Sequence, residues 1–313
     1  MITVYPETGK PLWVDLHDPS PEEIARACND YGLEIPPREQ LDEIEFSSRL
    51  QYEDNVFKIS VPVTPHRKPG EGEDETSPLG FVLTKDILVT IRFTHLHTFQ
   101  AIMERVKRRE RSAPDIFLVI VEALIDYGAD RLEELRSEAL TISRRIFHQE
   151  LQAMRQHNVA RFSRMLRDTL VEIGDMGERM SYIRDTLLVM QRAMPFVSEH
   201  GDGWLEPLVK ARLKMAADDV QSLNEYEVHL TDKLQFLLDA ALGFISTEQN
   251  ELFKVMTIWS IVGIPPVLFA GIWGMNFHVM PELSWPLGYP MALATIVISG
   301  VLPLMWFKHR GWW

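Results

Sequence analysis

The hydrophobic rhythm of the chain changes twice. Over roughly the first hundred residues, apolar and polar positions alternate in short stretches: residues 1–5 (MITVY), 12–16 (LWVDL), 49–63 (RLQYEDNVFKISVPV) and 79–93 (LGFVLTKDILVTIRF). A period of two, rich in Val, Ile, Thr and aromatic residues, predicts half-buried β-strands, and the polar Gly/Pro segment 68–78 (KPGEGEDETSP) predicts a loop between two of them. Within this region Ser20-Pro21-Glu22-Glu23 predicts a helix start, with a serine cap, a proline at the first helical position and a capping-box glutamate. From about Thr98 the period changes. Apolar residues recur every three to four positions through 98–149 and 157–194, which predicts amphipathic helices, and Gly201-Asp202-Gly203 interrupts them. Beyond Trp204 the helical spacing runs on, with no proline between Pro207 and Pro265-Pro266, long enough for a helix of roughly 90 Å at about 1.5 Å per residue.

The second change comes near the end, where the polar positions disappear. Val255–Trp273 and Leu287–Phe307 contain no charged residue. A bilayer core about 30 Å thick needs about 20 apolar residues in helix, so both runs qualify as membrane spans. A pair of core helices in a soluble protein would keep periodic polar residues, and these runs have none. The expected organisation is a soluble α+β domain over residues 1–203 with a helical second half and a stalk helix over 204–254 continuous with the first span. The membrane part then covers 255–313, with spans near 255–273 and 287–307 and a connecting loop at 274–286.

Charge follows the same division. The 313-residue chain carries a formal net charge of −13. From Ser246 onward Glu248, Glu251 and Glu282 are balanced by Lys254, Lys308 and Arg310, so the whole excess belongs to the first 245 residues. An acidic chain of this kind is a poor nucleic-acid binder, because phosphate contacts need clustered Lys and Arg, and it suits cations as partners. Lys254 precedes the first span, Lys308-His309-Arg310 follow the second, and the connecting loop has neither Lys nor Arg. The positive-inside rule then predicts both termini in the cytoplasm of a multi-pass protein of the cell (inner) membrane. Trp273, Trp285, Tyr289, Trp306, Trp312 and Trp313 fall near the expected interfaces. No basic segment followed by an apolar one opens the chain, so no secretory leader is expected. The single cysteine, Cys28, excludes an intrachain disulfide and suits a reducing compartment.

Two spanning helices cannot enclose a water-filled path, so any transport requires a ring of subunits. Around the first span, Asn250, Thr257, Ser260, Ile264, Val267, Gly271 and Gly274 recur at helical spacing and form a mostly small or polar stripe. Such a stripe lines pores, and it equally marks close helix packing. Pro265-Pro266 would free backbone groups and bend the helix. Other motifs read more plainly. His95-x-His97 has the spacing of a two-ligand chelate at a strand end, without a third ligand. Residues 107–111 (KRRER) read as a solvated helix face. EGEDET lacks the ligand spacing of an EF-hand, and Gly9-Lys10 lacks the glycine and hydroxyl residue of a P-loop, so no ATP-driven pump is expected. No nucleophile and base are paired as in an enzyme.

The loop between the spans narrows the reading. Gly274-Met275-Asn276-Phe277, then Met280-Pro281-Glu282-Leu283 and Gly288-Tyr289-Pro290, placed between two spans near a basic, aromatic C-terminus, resembles the signature of the CorA magnesium transporters. The likeness extends upstream through Leu238-Asp239-Ala240-Ala241, Gly243-Phe244-Ile245 and Glu248-Gln249-Asn250, and its order of elements covers the chain.

The resemblance implies a funnel-shaped homopentamer in the lipid bilayer, with α/β cytoplasmic domains, long stalk helices and the first spans around a pore. Mg²⁺ would be both the transported ion and the regulatory one, with Co²⁺ and Ni²⁺ as further candidates for transport and with no organic cofactor. Gly274, Met275 and Asn276 would form the selectivity filter, a ring of Asn276 amides holding the hydrated ion, while Glu282 in the loop would raise local cation concentration. Asn250, Met256, Thr257, Ser260, Ile264, Val267 and Gly271 would line the pore. Feedback by cytoplasmic Mg²⁺ would involve Asp218, Asp219 and Asp239. There the chain departs from the family pattern, since the position opposite the stalk acid falls on His97 and the stalk partner on Met215. Two other functions remain open: a zinc or other divalent-metal transporter on the same scaffold, with or without proton coupling, and a membrane-anchored scaffold that does not conduct.

Overall fold

The computed structural model describes residues 1–64, 76–96, 98–108, 111–156, 159–276, 280–281 and 285–312, with backbone only at 149–156 and 159–161. The chain divides into two compact units, residues 1–149 with 168–238, and residues 150–167 with 239–313.

In the first unit the alternating segments form strands β1 (Ile2–Tyr5), β2 (Trp13–His17), β3 (Leu50–Glu53), β4 (Val56–Val63), β5 (Ser77–Leu83) and β6 (Leu88–Arg92). They make one six-stranded sheet in the order β1-β2-β6-β5-β4-β3. β2 runs parallel to β6 and every other pair is antiparallel. Asp54 and Asn55, at φ 49° and 63°, turn β3 into β4. Two consecutive left-handed residues match the strand twist, and Asp and Asn tolerate that region. The segment expected as loop at 68–78 is shorter than its composition suggests: β5 already begins at Ser77, where Ser77 and Pro78 pair with Val63 and Pro62. Most of that segment, including EGEDE, lies outside the described residues.

Helices cover both faces of the sheet, which is why β5 and β6 are buried along their whole length. On one face Val14, Leu16, Val82, Val89 and Ile91 form a core with Ala27, Ile35 and Leu41. Ala27 belongs to α1 (Pro21–Tyr31), which starts as predicted: the Glu23 amide donates to Ser20 Oγ at 3.2 Å and the Ser20 amide to Glu23 Oε2 at 3.1 Å. On the other face Phe81 meets Phe117 edge-on at 5.3 Å, and Phe57 meets Phe196 at 5.8 Å. Two short turns of helix, α2 (Arg38–Leu41) and α3 (Phe46–Arg49), precede β3 and carry no periodic signal.

The helical stretch expected from residue 98 to 149 is two helices, α4 (Thr98–Lys107) and α5 (Ala113–Gln156). α5 opens on a second capping box: the Asp115 amide donates to Ser112 Oγ at 3.3 Å, and the Ser112 amide donates to Asp115 Oδ2 at 3.3 Å. Ser112-Ala113-Pro114-Asp115 carries the same start signal as Ser20-Pro21-Glu22-Glu23, and it marks the break within the periodic pattern. α6 (Val159–His200) and α7 (Pro207–Trp273) follow. Ion pairs join the three long helices within this unit: Glu138 with Arg179, Arg145 with Glu172, Arg184 with Glu227, and Arg212 with Glu122.

The break expected at Gly201-Asp202-Gly203 separates α6 from α7, and Gly201 is needed there. Its amide closes α6 on the Val197 carbonyl at 3.0 Å, and a β-carbon would lie 2.8 Å from that carbonyl and 2.4 Å from Leu205 Cδ1. We expect Gly201→Ala to cost about 1–3 kcal/mol, as overpacking does when backbone must shift, seen as a lowered thermal-unfolding midpoint of the detergent-solubilised protein.

In the second unit, α7 continues through Pro265-Pro266 to Trp273, and α8 spans Gly288–His309. Both helices are long and apolar enough to cross a membrane. A β-carbon on Gly300 of α8 would lie 3.3 Å from Pro266 Cγ and 3.7 Å from the Val262 carbonyl. That carbonyl is the one that Pro266, lacking an N–H, leaves without its helical donor. Glycine therefore lets α8 approach α7 where the proline has opened its ladder. Gly300→Leu should force the helices apart and lower the unfolding midpoint of the full chain, while the same change at Gly263, where no atom lies within 4 Å, should be tolerated.

Candidate functional site

The stripe read from the sequence can now be placed on α7. The partly covered positions of the span are Ile258, Val262, Pro265, Pro266, Phe269 and Trp273, which include the contact with Gly300. At about 100° per residue they lie on the side of the helix opposite Thr257, Ser260, Ile264, Val267 and Gly271. The stripe is exposed in the single chain, Ile264 at 63% and Val267 at 71%, and so are Asn250 and Met256. Packing against α8 therefore does not account for the stripe.

Two hydroxyls on this face are oriented by their own helix. Thr257 donates to the Phe253 carbonyl at 2.7 Å and Ser260 to the Met256 carbonyl at 2.9 Å. With the proton committed to the backbone four residues back, each oxygen keeps acceptor lone pairs. Water bound to a cation presents hydrogens, so acceptors are the useful chemistry along such a face.

α7 ends at the signature loop. The Gly274 amide bonds to the Ala270 carbonyl at 3.0 Å and the Met275 amide to the Ile272 carbonyl at 3.3 Å, closing the last turn. A β-carbon on Gly274 would sit 3.1 Å from the Ala270 carbonyl, tighter than side chains normally pack. Gly274, Met275 and Asn276 are all exposed, and Asn276 follows the helix end directly. Glu282 lies outside the described residues, as does His97. At the ends of α7 and α8, Trp273 stacks on Phe269 at 5.7 Å, Arg310 lies over Trp306 at 5.3 Å, and Trp312 meets Phe307 at 5.5 Å.

Of the acids singled out for regulation, Asp218, Asp219 and Asp239 are exposed on α7. More than five turns separate Asp219 from Asp239, so they cannot share an ion within one chain. Among the described residues no three His, Cys, Asp or Glu side chains gather as a metal site. Met215 is exposed on the same helix, 65% accessible, where a buried core role would have hidden it.

Sequence reasoning missed a buried polar network in the sheet. Asp15 on β2, 4% exposed, accepts from Arg92 Nη2 at 2.9 Å, Arg92 Nε at 3.1 Å and Thr90 Oγ1 at 2.8 Å. Trp13 Nε1 donates to Thr90 at 3.0 Å, and the Arg92 guanidinium stacks 4.7 Å from the Phe99 ring. Beside it His17 faces His95 with ring centres 6.0 Å apart. Partial burial, then the neighbouring Arg92 charge, hold the His17 imidazole below its ordinary pKa and so neutral near pH 7. The alternating register of β2 shows that Asp15 shares a face with Trp13, but nothing in the pattern names a partner 77 residues away.

The profile of the family described as CorA-like Mg²⁺ transporter protein matches residues 9–309. A magnesium transport protein CorA of Wolinella succinogenes is 31% identical over 97% of this chain and 92% of its own length. That of Escherichia coli K12 is 30% identical over 98% and 94%. Among solved structures, the complete CorA magnesium transporter of Methanocaldococcus jannaschii superposes with a TM-score of 0.70 at 18% identity, over 96% of this chain and 91% of that one. The full-length CmaX protein gives 0.67 at 15% identity, over 99% and 91%. The chain, with its α/β unit, its long helix and its two apolar spans, belongs to the CorA-like Mg²⁺ transporter family.

Proposed function

We propose that this protein carries Mg²⁺ into the cell as a passive, homopentameric channel, with both termini in the cytoplasm and the Gly274-Met275-Asn276 loop on the outer side. The observation that carries this reading is the exposed stripe of α7, opposite the contact with α8, which ends at Asn276. Two spans per chain cannot surround water, so the stripe faces a path only when several copies of α7 form a ring.

Mg²⁺ gives up its waters reluctantly, so a mouth that holds the hydrated ion avoids that cost. Amide carbonyls of Asn276 accept hydrogen bonds from the bound waters, whereas a ring of carboxylates would hold the ion more tightly and slow its release. Further in, the oxygens of Thr257 and Ser260 continue the acceptor surface. Ile264 and Val267 form an apolar constriction that gates by dewetting, with Asn250 and Met256 toward the cytoplasmic end. The driving force is the membrane potential, about 2.3 kcal/mol per elementary charge at 100 mV. Feedback by internal Mg²⁺ uses Asp218, Asp219 and Asp239. Because these acids do not converge within one chain, ions held there take ligands from adjacent subunits and screen their mutual repulsion. Domain limits at 203 and 254 correspond, in this reading, to the cytoplasmic part, the stalk and the membrane part.

The test is ion uptake into proteoliposomes with a Mg²⁺-sensitive dye inside, varying internal Mg²⁺, external Zn²⁺ and the pH gradient. Influx of Mg²⁺ that falls as internal Mg²⁺ rises, without need of a proton gradient, is the expected result. Zn²⁺ flux tied to the proton gradient, with little Mg²⁺ flux, would replace this reading with a zinc transporter, and absence of divalent flux from folded oligomer would leave a non-conducting scaffold.

A further inference from the structure

We infer that His17 and His95 form a second kind of metal site, for divalent ions that prefer nitrogen ligands, such as Zn²⁺, Ni²⁺ and Co²⁺, and not for Mg²⁺. His17 ends β2 and the exposed His95 lies three residues past the end of β6, their ring centres 6.0 Å apart at an interplanar angle of 68°. With metal–nitrogen bonds of about 2.0–2.1 Å, two imidazoles on one tetrahedral ion put their ring centres about 5 Å apart. The ring centres are thus within about 1 Å of the separation such a complex has.

The backbone around the pair is already held. His17 is in register with Arg92 across the parallel ladder, and the Asp18 amide donates to the Arg92 carbonyl at 2.8 Å. Arg92 Nη1 in turn donates to the Thr94 carbonyl at 3.3 Å, next to His95. The Asp15 carboxylate, in bidentate contact with the adjacent guanidinium, offsets part of its charge beside the pair. Two imidazoles with water completing the shell suit borderline ions, while Mg²⁺ demands oxygen ligands and leaves the pair alone. The pair lies at one end of the sheet of the first unit and shares no residue with the α7 stripe, so it is independent of the transport reading.

The experiment is titration calorimetry of Zn²⁺ into the full-length protein in detergent, with millimolar Mg²⁺ present to saturate oxygen sites. We expect one Zn²⁺ per chain, bound at least tenfold more weakly after His17→Ala or His95→Ala and with little change after His97→Ala. His17→Gln, which keeps most of the side-chain volume without ligating well, guards against a packing defect, and it should weaken binding as much. Zn²⁺ should also raise the unfolding midpoint of the wild type and not of His17→Gln, since a ligand of the folded state stabilises it. No Zn²⁺ binding in wild type overturns the assignment. So does binding that survives His17→Gln and fails in His97→Ala, which would place the ion on His95-x-His97, and so does binding indifferent to all of these changes.

Discussion

Asn276→Ala is expected to reduce Mg²⁺ uptake into proteoliposomes at least tenfold without lowering the unfolding midpoint. The side chain is exposed where α7 ends, and among the described residues no hydrogen bond or ion pair of the fold uses it. In the proposed channel it offers a carbonyl acceptor toward water polarised by a dication. A hydrogen bond to a charged group contributes about 1.5–3 kcal/mol, and in the proposed ring one substitution removes it from every subunit at once. Asn276→Asp separates capture from release. It should bind the hydrated ion more tightly and lower the maximal rate, so that uptake saturates at lower external Mg²⁺. Uptake by Asn276→Ala equal to wild type would remove Asn276 from the pathway and with it the proposed selectivity at this loop.

The largest effect on stability belongs elsewhere, in the sheet. Asp15→Ala should destabilise the first unit by about 3–5 kcal/mol, because it leaves the 9%-exposed Arg92 without its carboxylate. Arg92 would retain only the Thr94 carbonyl and the Phe99 ring, and Thr90 would lose its acceptor. Amide exchange in β2 and β6 should speed up, and the unfolding midpoint of the full chain should fall. Arg92→Met alone strands Asp15 in the same way. The double variant Asp15→Ala/Arg92→Met should recover much of either loss, since an apolar pair has no buried charge to satisfy. A double variant as unstable as the sum of the two single changes would mean that the residues act independently. The hydrogen bonds would then not be the source of their stability.

Local chemistry explains why parts of the fold were readable from the chain alone. Ser20 and Glu23 bond to each other's backbone within one turn, so four letters suffice to place the start of α1. The same signal at Ser112 and Asp115 is harder to read, because three-to-four spacing on both sides hides the break between α4 and α5. The spans were legible for a different reason. A bilayer imposes length and apolarity on every residue of a crossing helix, and Val255–Trp273 and Leu287–Phe307 meet both demands without help from the rest of the protein.

Partners distant in sequence were not legible in this way. That β2 lies beside β6, that Asp15 meets Arg92, and that Arg184 reaches a Glu227 only 2% exposed are results of three-dimensional packing. Each side chain alone is compatible with solvent, and only the surrounding core makes pairing obligatory. The stripe on α7 joins the two cases. Its spacing from Asn250 to Gly271 is a property of the sequence, since helical period alone puts those residues on one side. Whether that side was packing surface or free face depended on where α8 came to rest. Gly300 brings α8 against Pro266 and the Val262 carbonyl, on the opposite side of the helix, because a proline-opened ladder and a residue without a side chain allow close approach there, so α8 leaves the stripe uncovered.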